Sequence, residues 1–217
     1  MVFLHRNSQK RIYEEGAEYF ITTVTEGRHP YFRVPILAEL FVRDLWFAEN
    51  LKEFDLYGYT VMPDHVHLLF QPKGNANYSE IMGSLKRNVS RDINNIIGDK
   101  PLIRDLREGD DSNRRLRTNY DKTKHKHPHL QFDSFAAHFF AIEHLHGKFK
   151  NKYKSQSRFT AFHWQSSFRD HLIRDEEDHL NHLEYTYRNA VKHGLVKSPE
   201  EYPWMWIVGM KKPFAPD

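Results

Sequence analysis

The chain of 217 residues contains no cysteine, which removes disulfide frameworks, thiolate zinc sites and cysteine nucleophiles together. Any metal must then be held by His, Asp, Glu, Asn or Gln, and the 15 histidines supply the most versatile of these donors. No run approaches the roughly 20 apolar residues that a membrane-spanning helix needs. The opening residues, Met1 to Asn7, lack an apolar stretch followed by a small-residue cleavage site, so a soluble, cytoplasmic protein is expected. Internal repeats and low-complexity tracts are missing as well. What is present is 39% apolar residues with 14% aromatics, enough to fill the core of one domain of ordinary size.

The formal charge of +3 hides an uneven distribution. Residues 100 to 160 hold 14 Lys/Arg against 7 Asp/Glu, whereas the remainder of the chain holds 18 against 22. A basic central segment suits a polyanion, because each cation set against a phosphate releases counterions. A solvated loop has the same composition, and charge alone leaves both readings open.

Hydrophobic periodicity orders the chain as β, α, β, β, α before this segment. Residues 18 to 25 are aromatic and β-branched and end at Glu26-Gly27, which predicts a strand. Residues 35 to 50 carry helical spacing at Ile36, Leu37, Leu40, Phe41, Leu45 and Phe47. Strands are predicted at 56–61 and 65–70, joined by the turn chemistry of Pro63-Asp64. A helix follows over 78–97, with Ile81, Leu85, Val89, Ile93 and Ile97 on one side and Lys86, Arg87 and Arg91 elsewhere. The pattern then breaks, and residues 98–161 read as a basic insertion within a single domain spanning 1–217, containing one helix near 135–149. Residues 162–173 look extended. Asp175 to Lys192 form a helix that opens with four carboxylates at its positive end and stops at Gly194.

Two signals carry chemistry. On a strand, alternate side chains share a face, so His65 and His67 project to one side while Val66 and Leu68 pack on the other. Two comparable histidine patterns serve as controls. His144 and His146 fall in a helical pattern that turns their rings roughly 200° apart, and His125, His127 and His129 lie in a Lys-rich, Pro-containing stretch without apolar alternation. Neither control offers a prearranged face. On the helix 175–192, Leu180, Leu183, Tyr187, Ala190 and Val191 form an apolar stripe expected to face the core. Asp178, His182, Tyr185 and Asn189 cluster on nearly the opposite side, with Tyr185 and Asn189 one turn apart. Two imidazoles and an amide oxygen around a divalent ion, with a tyrosine one turn away, suit attack on phosphorus: the ion polarises a phosphate oxygen and the phenolate is the nucleophile.

The block Met62-Pro63-Asp64-His65-Val66-His67-Leu68-Leu69-Phe70 resembles the His-hydrophobic-His motif of single-tyrosine transposases related to IS200. A second block is similar to the C-terminal half of the REP-associated tyrosine transposases. It comprises Trp164-Gln165, Phe168, Asp170-His171, Ile173-Arg174 and Glu184 to Gly194. The resemblance covers roughly residues 10 to 97 and 162 to 207. It departs from the usual pattern at Asn189-Ala190, where relatives commonly have Asn-Pro, and in the unmatched insertion.

The resemblance implies a ferredoxin-like α/β fold, an antiparallel sheet with helices packed on it and the two histidines on a central strand. It implies that His65, His67 and Asn189 bind Mg²⁺ or Mn²⁺ and that Tyr185 attacks single-stranded DNA bearing hairpins of palindromic repeats. The products are a 5′-phosphotyrosine and a free 3′-hydroxyl. Lys86, Arg87 and Arg91 would lie along the DNA backbone, and Phe168 and Trp204 either stack on unpaired bases or pack in the core. Monomer and homodimer are both compatible with it. Two other classes compete: a hairpin-binding protein without strand transfer, and a phosphohydrolase that uses water in place of the tyrosine. The set of four groups argues against the first, and the lack of further carboxylates expected near His65 or Asn189 against the second.

Overall fold

The computed structural model describes residues 11–98, 121, 123–124, 131–153 and 159–211. Five strands form one antiparallel sheet: β1 (Tyr19–Val24), β2 (Phe54–Val61), β3 (His65–Pro72), β4 (Arg169–Leu172) and β5 (Met205–Ile207). Their order is β4-β1-β3-β2-β5. Packed with them among the described residues are the helices α1 (Pro35–Lys52), α2 (Tyr78–Ile97), α3 (Phe132–Lys152) and α4 (Glu176–Lys192). With β1, α1, β2, β3, α2 and β4 taken in sequence, this strand order is the ferredoxin-like arrangement, extended by β5 at the β2 edge.

Local chemistry sets most boundaries. Pro35 starts α1, where its missing N–H costs nothing, and Glu53 ends it in the left-handed conformation at φ 52°. Asn77 and Glu80 form a capping box at the head of α2. Asp175 caps α4 by accepting from the Asp178 N–H. Between β2 and β3 the chain turns through Pro63 and Asp64, and Met62 N–H donates to the His65 carbonyl at 2.8 Å. The β2–β3 register shifts between Leu56 and Gly58. At Gly58 a side chain would meet Ile207 Cγ2 at 3.1 Å and the Trp206 carbonyl at 3.3 Å, so glycine is what lets β5 close on β2 there.

The sheet has two unlike faces. Tyr19 and Ile21 of β1, Leu56, Tyr59 and Val61 of β2, and Val66, Leu68 and Phe70 of β3 join Leu37, Phe41 and Leu45 of α1 and Leu85, Val89 and Ile93 of α2 in one buried core. Helix α3 contributes Ile142, Leu145 and Phe149 to that core. One helix of the expected insertion is thus built into the main packing. The opposite face carries Phe20, Thr22, Thr60, His65, His67 and His171, and α4 lies across it.

That placement corrects the reading of α4. The apolar stripe was expected to face the core, yet Leu180 is 56% exposed, and the buried residues of α4 are Asp178, Thr186, Asn189 and Ala190. The physical reason is the partner: α4 docks on a sheet face that is itself polar, so it turns its hydrogen-bonding side inward. Thr60 Oγ1 donates to the Thr186 carbonyl, and the Thr186 hydroxyl donates to the His182 carbonyl at 2.8 Å. Leu183 reaches the sheet at Gly58, so the stripe is split between contact and solvent. The extended reading of 162–173 contracts to β4 plus a single bridge from Thr25 to Trp164. Residues 125–129, with their alternating histidines, lie outside the described residues. His144 and His146 sit on α3, away from the sheet face that carries His65 and His67.

Candidate active site

His65 and His67 emerge side by side from β3 on the face covered by α4, their ring centroids 4.9 Å apart. Each imidazole is held from behind through Nδ1. Asp64 accepts from His65 Nδ1 at 2.6 Å, and Thr22 Oγ1 on the neighbouring β1 lies 2.9 Å from His67 Nδ1. With both Nδ1 atoms engaged, both Nε2 atoms are left to face a ligand, which is how histidines are oriented at metal centres. Burial pushes the Asp64 carboxyl up, but the His65 imidazole and the Arg28 guanidinium outweigh it and hold it below its ordinary range. Burial, reinforced by the nearby rings of His65, His193 and His182, pushes the His67 imidazole down to about 3, so it is neutral at physiological pH.

Helix α4 brings three groups over this pair at successive turns. The Tyr185 hydroxyl lies 3.5 Å from His67 Nε2, with the two rings edge to face at 5.1 Å. Asn189 is completely buried, and neither its Oδ1 nor its Nδ2 has a hydrogen-bond partner among the described residues. His193, just past the helix end, places its ring 6.1 Å from that of His65. Phe20 packs beneath the group, stacked on His67 at 5.3 Å and in contact with His182 and Tyr185. Lys192 stands 5.3 Å over the Tyr185 ring.

The site opens into a cleft of about 390 Å³ lined by Arg28, Arg33, Asp64, His65, His193 and Leu195, among others. Its two arginines make it hospitable to an anion.

Of the residues singled out from the sequence, the structure brings His65, His67, Tyr185 and Asn189 together. Lys86, Arg87 and Arg91 sit on α2, which packs on the opposite face of the sheet. Lys86 donates to the Gln165 carbonyl at 2.8 Å, and burial, then the charge of Arg11, lowers it to about 8. Arg91 makes a two-point contact to Asp92, and Arg87 is exposed. Phe168 and Trp204 are partly buried against the core, with the Arg11 guanidinium 3.8 Å over the Phe168 ring. Sequence reasoning missed four groups. Asp64 adjoins His65 in the chain, contrary to the expected lack of carboxylates there, and His193 follows Asn189 by one helical turn. Thr22 and Arg28 had no local signal: strand pairing brings Thr22 in, and the turn after β1 sets Arg28 against Asp64 at 3.0 Å.

Fold and site define a ferredoxin-like α/β protein in which a paired-histidine strand faces a tyrosine-bearing helix. Residues 14–101 match the family model described as transposase IS200-like. A Haemophilus influenzae chain carrying the provisional name REP-associated tyrosine transposase is 26% identical over 199 residues, covering 91% of this chain and 84% of that relative. The REP-associated tyrosine transposase of Escherichia coli is 44% identical over 41 residues, covering 19% of this chain and 25% of the relative. Among solved structures, a REP-associated tyrosine transposase bound to a REP hairpin aligns at 19% identity over 92% of this chain and 82% of its own, with a TM-score of 0.44. A provisionally named transposase from Deinococcus radiodurans aligns at 17% identity over 83% and 94%, with a TM-score of 0.37. The chain is thus similar to the IS200-like transposase family over residues 14–101 and to a REP-associated tyrosine transposase relative over most of its length.

Proposed function

We propose that the protein cleaves and rejoins single-stranded DNA by tyrosine attack, in the manner of a strand transferase acting on hairpin-flanked substrates. The observation that carries this reading is the Tyr185 hydroxyl, 3.5 Å from His67 Nε2 and one turn before the buried, unpartnered amide of Asn189. A buried amide without partners is costly unless something satisfies it. Together with two imidazoles whose Nδ1 atoms are already engaged, it forms a donor set that fits a divalent cation, Mg²⁺ or Mn²⁺ in use. Such an ion, when bound, supplies charge stabilisation to a phosphate oxygen.

The residues of the chain divide the remaining work. Arg28, Arg33 and His193 line the cleft that receives the phosphodiester backbone. Phe20 and His67 fix the Tyr185 ring, and Tyr185 Oη forms the new bond to phosphorus. The bond from phosphorus to the 3′-oxygen breaks, the phenolic proton passes to solvent, and the departing 3′-oxygen takes up a proton. The 5′-phosphotyrosine keeps the energy of the phosphodiester, so a later 3′-hydroxyl restores a DNA strand without ATP.

The test is incubation of the full chain with labelled single-stranded oligonucleotides carrying hairpins from its genomic flanks, with Mn²⁺, followed by denaturing electrophoresis. A covalent protein–DNA adduct is expected, lost in Tyr185→Phe. Tight hairpin binding without an adduct under any divalent metal would replace the transferase with a binding protein. Turnover without an adduct, unaffected by Tyr185→Phe, would replace it with a water-using hydrolase.

A further inference from the structure

On the far side of the sheet, where α1, α2 and α3 meet, a second group of charged side chains has no part in the tyrosine chemistry. Asp44 of α1 is 2% exposed, and neither of its carboxylate oxygens has a hydrogen-bond partner among the described residues. Asp92 of α2 is 5% exposed, and His138 of α3 is mostly buried. One ligand atom from each of the three lies within 4.8 Å of the others. His138 Nε2 and Asp44 Oδ1 are 3.4 Å apart. That is long for a charge-assisted hydrogen bond and close to the ~3.4 Å edge of a tetrahedron whose ligands stand about 2.1 Å from a zinc-sized ion. The His138 ring is stacked on Phe47 at 4.1 Å and 7°, which fixes the direction in which Nε2 points.

We propose that Asp44, Asp92 and His138 form a structural site for a divalent transition-metal cation of the zinc class, which ties α3 to α1 and α2. The charge balance supports it. Two buried carboxylates face a single guanidinium directly, that of Arg91, whose contacts go to Asp92. Arg43, also nearby, is directed to Glu39. Asp44 is left a buried carboxyl without a hydrogen-bond partner among the described residues, a costly arrangement that a cation relieves. The Asp92 oxygens keep lone pairs free beyond those that accept from Arg91.

The test separates this site from the one at His65. The full chain carrying His65→Ala and His67→Ala is stripped with a chelator and titrated with Co²⁺, read by visible absorption and by metal content after gel filtration. One equivalent is expected, lost when His138→Gln or Asp44→Asn is added and retained with Glu143→Gln on the same helix. Zinc should raise the melting temperature of the parent double variant and leave that of the His138→Gln form unmoved. If Asp44→Asn fails to fold, His138→Gln decides. No cobalt uptake by the double variant would overturn the proposal and leave a proton shared between Asp44 and His138. Uptake that survives His138→Gln but is lost with Asp178→Asn would also overturn it, and would place the ion at the His171, Asp178 and His182 group.

Discussion

Asp64 illustrates how much of the site depends on a residue that never needs to touch the substrate. Its carboxylate accepts from His65 Nδ1 at 2.6 Å, while its backbone carbonyl accepts from both the N–H and the hydroxyl of Thr25 at 2.9 Å. Losing such an orienting partner typically costs 10–100-fold in metal affinity. Asp64→Asn should therefore weaken Mn²⁺ binding by roughly that factor with little loss of stability, as measured by calorimetric titration. Asn189 makes the opposite trade. Its buried, unpartnered amide penalises the metal-free fold, so Asn189→Leu should stabilise the metal-free protein by about 1–2 kcal/mol in urea denaturation while abolishing adduct formation. Equal or lower stability would mean that the amide has a partner in solution.

His67 gives the site a defined pH response. Its folded value near 3 lies below the ordinary 6.5, so between these limits the unfolded chain binds a proton that the folded chain refuses. Its contribution to stability is present above about pH 6.5 and is lost progressively as pH falls toward 3, at up to about 1.4 kcal/mol per unit. Urea midpoints of the metal-free protein between pH 7.5 and 5 should fall, and His67→Gln should flatten that slope. An unchanged slope would place the titration elsewhere.

Among the elements, β3 was legible and α4 was only half so. The alternation of β3 in sequence matched its two faces in the fold, because period two leaves a strand no other way to bury Val66, Leu68 and Phe70 together. For α4 the grouping of Asp178, His182, Tyr185 and Asn189 was correct, since helical geometry fixes which residues share a face. Its direction was only partly so: Ala190 is buried and Leu183 reaches the sheet while Leu180 is exposed, because an apolar stripe marks the inward side only where the surface beneath is apolar. The sheet face beneath α4 presents Thr22, Thr60 and His67, and none of this is written in the helix. The basic residues of α2 show a similar limit. Periodicity placed Lys86 off the apolar side, but only the packing showed it reaching the Gln165 carbonyl across the layer from the histidines.

In the molecule as a whole, α3 changes the meaning of the basic segment. A stretch without family resemblance suggested an appendage, whereas Ile142, Leu145 and Phe149 are buried with the helices of the first half. We propose that it unfolds with the rest as one unit. Phe149→Ala should cost about 3–5 kcal/mol and lower the midpoint of a single calorimetric transition; two separate transitions would make α3 an independent module. The described residues include no helix long and apolar enough to cross a membrane.

The sequence by itself determined the order of elements from β1 to α2, the helix α4, the shared face of His65 and His67 and the one-turn spacing of Tyr185 and Asn189, while β5 had no signal in it. All of these follow from the fixed periods of a chain in local conformation. Only the tertiary structure decided that α4 lies polar side down on β3, that Thr22 and Asp64 lock the two imidazoles, and that Asp44, Asp92 and His138 meet. These pairings join residues far apart in the chain or depend on which surface each element finds, and packing of the whole sets both.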